Sequence, residues 1–126
     1  MKNVFRVLVS CLLALFVLGI SVAQDKKGTD VTLKGEVIDI KCFSSGMGGG
    51  RGEEHQDCAI QCIKGGLPVG LLDEKGTLYM LVPKKGMKGA NDALAEHAAH
   101  TVMVKGTLQD KAGMKVVHYT SVEMAK

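Results

Sequence analysis

Residues 31–40, VTLKGEVIDI, are the stretch from which the fold of this chain can be argued. Side chains alternate along it, with Leu33 and Val37 on one face and Ile38 on the other. Alternation with a period of two and an abundance of β-branched side chains are typical of a β-strand. We therefore predict that these residues form the first strand of a sheet and that Cys42 lies at its end.

The rest of the chain predicts four further strands and two short helices. The DEKG sequence at residues 73–76 separates two apolar runs, which indicates a hairpin. Asn91 is suited to cap a helix rich in alanine and leucine. After the first strand, the predicted elements are a helix at residues 53–64, strands at 68–72 and 77–82, a helix at 91–98, and strands at 101–108 and 114–124.

This order of elements predicts a small barrel. Five strands with a helix between the third and the fourth follow the order of the OB fold, a five-stranded Greek-key barrel. Closing a small sheet also removes its exposed edges. The predicted fold class is therefore mainly β: a small five-stranded OB-like barrel, with a short cysteine-bearing helix after strand 1 and a short helix between strands 3 and 4.

Residues 1–23 carry the three parts of a secretory signal peptide. Lys2 and Arg6 form a positive start, residues 7–20 form an apolar run, and residues 21–23 are small enough for a cleavage site. The apolar run is shorter than the roughly 20 residues that a membrane-spanning helix needs. We therefore predict cleavage, export to the periplasm or the outside of the cell, and no membrane span afterwards. Lipidation is the less favoured alternative.

Cleavage would leave 103 of the 126 residues: a flexible lead-in at residues 24–30 and a single domain at residues 31–126. It would also remove two of the 16 basic residues and leave a net charge of +1, from 14 basic and 13 acidic residues. The sequence pI of about 8.7 is therefore no sign of nucleic-acid binding. Only three aromatic residues would remain, too few for a platform that stacks bases.

The cysteines provide the chemically unusual feature of the sequence. Cys11 lies in the predicted signal peptide, so the processed chain keeps Cys42, Cys58 and Cys62, an odd number that cannot pair completely within one chain. Together with His55 these cysteines form the pattern C-x12-H-x2-C-x3-C. Four soft or borderline donors therefore fall within one short segment.

The predicted helix at residues 53–64 brings three of these donors together. His55, Cys58 and Cys62 are spaced i, i+3 and i+7, and such positions share one helix face. The loop at residues 44–52 contains five glycines among nine residues, which predicts enough flexibility to return the first cysteine to that face. We therefore expect the four donors to converge.

Two metals suit this donor set. Three thiolates and one imidazole form a closed tetrahedral set for Zn²⁺, and thiolates also favour Cu(I), to which Met47 in the loop could add a thioether. We predict a metal site at Cys42, His55, Cys58 and Cys62. A closed site leaves no position for substrate, so a binding module is favoured over an enzyme. The sequence has no C-x2-C-H for haem and no phosphate loop for a nucleotide.

Two alternatives remain open at this point. The periplasm and the outside of the cell oxidise thiols, so in an exported protein Cys42 could form a structural disulfide with Cys58 or Cys62 and pin the loop. Alternatively, Cys58 or Cys62 could be a redox-active thiol beside His55, which would make the protein an oxidoreductase or an accessory factor. The usual C-x2-C redox motif is missing, which weakens this second alternative.

Two segments carry a resemblance to known proteins. Residues 35–42, GEVIDIKC, and residues 55–68, HQDCAIQCIKGGLP, resemble a group of small exported bacterial proteins with an OB-like barrel. That group pairs a GEVxD-x2-C strand with an H-x2-CA-x2-C segment. The resemblance implies the barrel and implies that the cysteines and the histidine act as a unit, but it implies no activity. The predicted partners are a metal ion and, as a further candidate, another exported or membrane-bound protein.

Overall fold

The computed structural model describes residues 27–86, 89 and 91–126; the predicted signal peptide and the start of the lead-in lie outside the described residues. The described strands are β1 (Thr29–Asp39), β2 (Val69–Asp73), β3 (Leu78–Pro83), β4 (Thr101–Lys111) and β5 (Met114–Met124). The described α-helices are α1 (Ile40–Ser45), α2 (Gln56–Lys64) and α3 (Asn91–Ala95). Two 3₁₀ turns, Met47–Gly49 and Glu53–His55, lie between α1 and α2.

The described strands close into a barrel in the order β1-β2-β3-β5-β4. Strand β1 pairs antiparallel with both β2 and β4, which closes the sheet on itself. Strands β3 and β5 pair in parallel, with α3 on the connection before β4. The predicted mainly-β, five-stranded barrel is thereby confirmed, including the cysteine-bearing helical segment after β1 and the short helix before β4.

The core fills the barrel and one of its ends. Each strand contributes fully or almost fully buried aliphatic side chains, and the helices α2 and α3 add Ile63 and Leu94 to the same cluster. Burial of one such side chain contributes about 1.5–3 kcal/mol to stability. Among the described residues, no helix has the length and apolarity that a membrane-spanning segment requires.

Side-chain amides tie helix α2 to the barrel end. The Nδ2 atom of Asn91 donates to the carbonyl oxygens of Ile63 and Leu67, at 2.7 and 2.8 Å. At the other end of the helix, the Nε2 atom of Gln56 donates to the carbonyl oxygen of Ala98, at 3.2 Å. These bonds hold the helix that carries Cys58 and Cys62 in one position relative to β1.

Several predicted boundaries are corrected by the structure. Strand β1 begins at Thr29, two residues earlier than the predicted strand. The same strand ends at Asp39 because the chain turns there into helix α1, which the sequence did not predict. The predicted helix at residues 91–98 ends at Ala95.

The turn between β4 and β5 is also shorter than predicted. Lys111 pairs with Met114, which leaves a two-residue turn at Ala112 and Gly113 rather than the predicted turn at residues 109–113. Both turn residues have positive φ, at 53° and 80°. Such a turn matches the right-handed twist of antiparallel strands, so both strands continue to its edge.

The β2–β3 turn gives a prediction about acid stability. Asp73 accepts hydrogen bonds from the backbone N–H groups of Thr77 and Lys75, at 2.7 and 2.9 Å, and these bonds hold the pKa of its carboxyl below the usual 3.8. A lowered pKa in the folded state stabilises the fold above pH 3.8, and this contribution is lost as the pH falls below that value. Urea unfolding of Asp73→Asn should therefore show a weaker acid dependence than the wild type. Glu123→Gln, which removes an exposed carboxyl from β5, is the control and should leave the dependence unchanged.

Candidate metal centre

Three thiols converge beside the end of β1. Cys42 lies in helix α1, and Cys58 and Cys62 lie one turn apart on helix α2. The Sγ atom of Cys42 is 3.9 Å from that of Cys58 and 4.0 Å from that of Cys62, and all three sulfurs lie within 4.8 Å of one another. All three cysteines of the described residues are free thiols.

The spacing of the sulfurs fits a shared metal ion. Zinc binds thiolate sulfur at about 2.3 Å, so two sulfurs on one tetrahedral ion lie about 3.8 Å apart. A disulfide requires a sulfur–sulfur distance of about 2.0 Å, which is close to half the distance between two sulfurs on one metal ion. The three cysteines can therefore hold a metal ion without a large rearrangement.

A buried aspartate and a buried histidine adjoin these thiols. Asp39 ends β1 and caps α1, because its Oδ1 atom accepts a hydrogen bond from the backbone N–H of Cys42 at 3.0 Å. Its Oδ2 atom faces the Nε2 atom of His55 at 3.5 Å. Asp39 is fully buried and His55 is 4% exposed.

The two facing atoms are unusual for a protein interior. Neither Oδ2 of Asp39 nor Nε2 of His55 has a hydrogen-bond partner among the described residues. Leaving a buried polar atom unpaired costs about 1–3 kcal/mol. A cation bound beside this pair would compensate for part of that cost, and the donor atoms of Asp39, Cys42 and His55 lie within 4.8 Å of one another.

The cluster therefore consists of two overlapping groups that share Cys42. One group is the three cysteines, and the other is Asp39, Cys42 and His55. The structure brings the three predicted thiol ligands together, but it groups the predicted histidine with Cys42 and Asp39 and not with Cys58 and Cys62. The sequence predicted Cys42, His55, Cys58 and Cys62 but assigned no role to Asp39. Its position three residues before Cys42 is a helix-capping spacing, which was the available signal.

Burial controls the chemistry of Cys42. Its side chain is 1% exposed, and burial raises the pKa of the thiol from 9.0 to about 12, with contacts to Cys58 and Asp39 acting in the same direction. Without a metal the thiol is thus protonated at neutral pH and is a poor nucleophile. A metal ion that binds here must displace this proton, so binding releases protons to solvent.

The glycine-rich segment packs closely over the cluster. A Cβ atom at Gly50 would lie 2.6 Å from the Cα atom of Phe43 and 2.9 Å from the carbonyl oxygen of Cys42. A Cβ atom at Gly48 would lie 3.0 Å from the Nδ1 atom of His55. Met47 is 55% exposed, so most of its side chain lies on the outer side of this segment.

The far end of the same segment is held by β1. The carboxylate of Glu36 accepts a hydrogen bond from the backbone N–H of Gly52 and pairs with the Arg51 guanidinium at 3.5 Å. The predicted loop at residues 44–52 therefore contains the end of α1 and a 3₁₀ turn, and it has defined contacts with both β1 and α1.

Two adjacent glycines give a matched test of this packing. Gly49 and Gly50 both have positive φ, at 77° and 68°, so alanine at either should cost about 1–2 kcal/mol of stability. A Cβ atom at Gly49 would meet nothing within 4 Å, whereas one at Gly50 would displace the backbone at Cys42. We expect Gly50→Ala to lose more unfolding free energy and also to weaken metal binding. Equal losses in denaturant unfolding and equal metal affinities would contradict this packing.

The fold and the site define the class of protein: a small closed β-barrel with a candidate thiolate metal centre at one end. No family model, no curated protein and no solved structure matches this chain. The functional assignment therefore depends on the geometry of the cluster.

Proposed function

We propose that the protein is an exported, non-enzymatic binding module that holds Zn²⁺ or Cu(I) at Cys42, His55, Cys58 and Cys62. One observation carries this proposal: three free thiols lie within 4.8 Å of one another beside two buried polar atoms that have no hydrogen-bond partner in the described structure. Clusters of free thiols in an oxidising compartment are rare, and binding a metal ion is one way to keep them reduced.

The donor set supports binding rather than catalysis. Three thiolates and one imidazole complete a tetrahedron around Zn²⁺ and leave no open position for a substrate or a reactive water. The three cysteines by themselves form a sulfur-only set, which is the environment that Cu(I) prefers. The choice between the two ions thus depends on whether His55 is a ligand.

In this proposal Asp39 supports the histidine. Metal-bound histidines usually use their second ring nitrogen to contact a carboxylate or a carbonyl, which fixes the ring and increases its basicity. Asp39 is placed for this role, since its carboxylate faces the His55 ring at 3.5 Å and its other oxygen is held by the backbone N–H of Cys42.

The test is to measure metal retention in a histidine variant. His55→Ala should release Zn²⁺ to a competing chelator at a concentration more than about a hundredfold lower than the wild type requires, since loss of an outer-shell group alone costs about ten- to a hundredfold in affinity. His118→Ala, in strand β5 and outside both donor groups, is the control and should retain metal like the wild type. Equal retention in both variants would remove His55 from the ligand set and favour a Cu(I) site made of the three cysteines.

A thiol–disulfide redox function is the second candidate, and one observation favours it. Cys58 is exposed, and its sulfur lies 3.9 Å from that of Cys42, close enough for a disulfide to form with a small movement. The high pKa of Cys42 makes Cys58 or Cys62 the attacking thiol in this case. A disulfide that serves only to pin the structure is the third candidate. If the disulfide were rapidly reduced by a dithiol reductant and then formed again, the redox function would be favoured over the structural disulfide.

Export is part of the proposal and is supported by residues 1–23. Expression of the full-length gene in a bacterium should give a chain whose intact mass lacks these residues. A chain of full-length mass found in the cytosol would contradict export, and it would not affect the proposal of the metal site.

A further inference from the structure

The three sulfurs of the cluster differ in their access to solvent. Cys42 is 1% exposed, Cys62 is partly buried and Cys58 is exposed. An ion bound to all three would therefore have a protein-covered side at Cys42 and a solvent side at Cys58. An incoming donor would thus reach the ion first on the side of Cys58.

The covered side is also the more rigid one. The backbone of Cys42 is held by the Asp39 cap, and Gly50 packs directly on its carbonyl group. Cys58, by contrast, is exposed and is the third residue of α2, and no cap or close backbone contact like those of Cys42 is described for it.

We propose that the module delivers its ion to thiol donors that attack from the Cys58 side, an inference that rests on the proposed function. In the first step the sulfur of an incoming thiol binds the ion and the bond from the ion to Cys58 breaks. The proton of the incoming thiol passes to the released Cys58 thiolate. No electron is transferred, so the ion keeps its oxidation state. Further thiol donors replace Cys62 and His55, and Cys42 is released last; each released thiolate takes up the proton of the thiol that replaces it, and the released imidazole is left neutral.

The charges around the solvent side select the kind of thiol. Glu53, Glu54 and Asp57 are all exposed and precede Cys58 within five residues. They outnumber the cations of the same segment, Arg51 and Lys64, and Arg51 is paired with Glu36. A net negative segment repels anionic donors and attracts cationic ones, an effect that salt screens. The acceptor that fits is therefore a cysteine flanked by basic residues.

The experiment measures how fast the ion leaves. The metal-loaded product of the full-length gene is mixed with an excess of a chromophoric chelator as the final acceptor, and a Lys-Cys-Lys peptide is varied in concentration. Direct attack predicts a transfer rate that rises in proportion to the thiolate, about tenfold for a tenfold increase. A Glu-Cys-Glu peptide at equal thiolate concentration should be slower at low salt, and the difference should shrink at high salt.

Substitution of the flanking carboxylates tests the selectivity. Asp57→Asn combined with Glu54→Gln should reduce the preference for the basic peptide without changing metal affinity. Glu123→Gln, an exposed carboxyl on β5, is the matched control and should keep the full preference.

The outcomes distinguish the two proposals. A loaded protein whose transfer rate does not depend on thiol concentration would overturn the delivery inference and leave the metal site standing. A protein that neither carries nor takes up an ion would overturn both. Equal rates for the two peptides at low salt would overturn the selectivity for basic donors.

Discussion

Replacing Cys42 by serine is expected to lower metal affinity by more than about a hundredfold, beyond the loss that outer-shell substitutions produce. Cys42 belongs to both donor groups, and its sulfur lies about 4 Å from each of the other two sulfurs. A serine hydroxyl at this buried position is a weak ligand for a soft ion. The measurement is a competition titration against a chelator of known affinity.

Cys58→Ser is the matched control, since it also removes one thiol but from an exposed position. We expect a smaller loss of affinity there, because water can occupy the vacated position at the surface. Thermal unfolding of both variants in the presence of a chelator separates loss of a ligand from loss of the fold. Equal affinities for Cys42→Ser and the wild type would contradict the central position of Cys42.

Asp39 gives the second large effect, and two substitutions separate its two roles. Asparagine is as good a helix cap as aspartate, so Asp39→Asn should keep the bond to the Cys42 backbone and lose only the charge that faces His55. We expect metal affinity to fall about ten- to a hundredfold, as for other carboxylates that support a ligating histidine.

Asp39→Ala should have the same effect on the charge and should also remove the cap of α1. Loss of such a cap costs about 1 kcal/mol of stability. In urea unfolding with chelator present, the metal-free Asp39→Ala variant should therefore have a lower free energy of unfolding than the metal-free Asp39→Asn variant. If both variants bound metal like the wild type, Asp39 would have only a structural role.

The barrel could be predicted from the sequence because its signals are local and repeated. Alternation at residues 31–40 and 101–108 and the turn at residues 73–76 each point to the same arrangement of strands. The sequence predicts the last strand at residues 114–124, the bounds that the structure gives to β5. Periodic patterns of this length depend on many side chains, so a single unusual residue does not conceal them.

The approach of the thiols was predictable for a similar reason. Cys58 and Cys62 share a face of one helix by spacing alone, and a glycine-rich connection permits the return of Cys42. Three features of the site were not predictable. Helix α1 has only six residues, between a cap at Asp39 and a left-handed glycine at Gly46. The pairing of Asp39 with His55 depends on how α2 lies against β1. The contacts that order the glycine segment come from Glu36, fifteen residues before Arg51 in the sequence.

The barrel explains why the site lies where it does. Strand β1 and helix α1 bring Asp39 and Cys42 to one end of the barrel, and hydrogen bonds donated by the side-chain amides of Asn91 and Gln56 hold α2 across that end. The donors on the two elements therefore meet at a junction that the core supports, with one side of the cluster covered and the other open to solvent.

The central claim is that the three thiols hold a metal ion. Its most direct test is to measure the intact mass of the protein. It should be expressed from the full-length gene, purified without a metal-affinity tag, and measured by native and denaturing mass spectrometry with thiol counting. We predict an excess mass equal to one metal ion, lost on denaturation, and three reactive thiols in the processed chain. A chain about 2 Da lighter than the reduced mass, with one reactive thiol and no bound metal, would contradict the account, because disulfide formation removes two hydrogens.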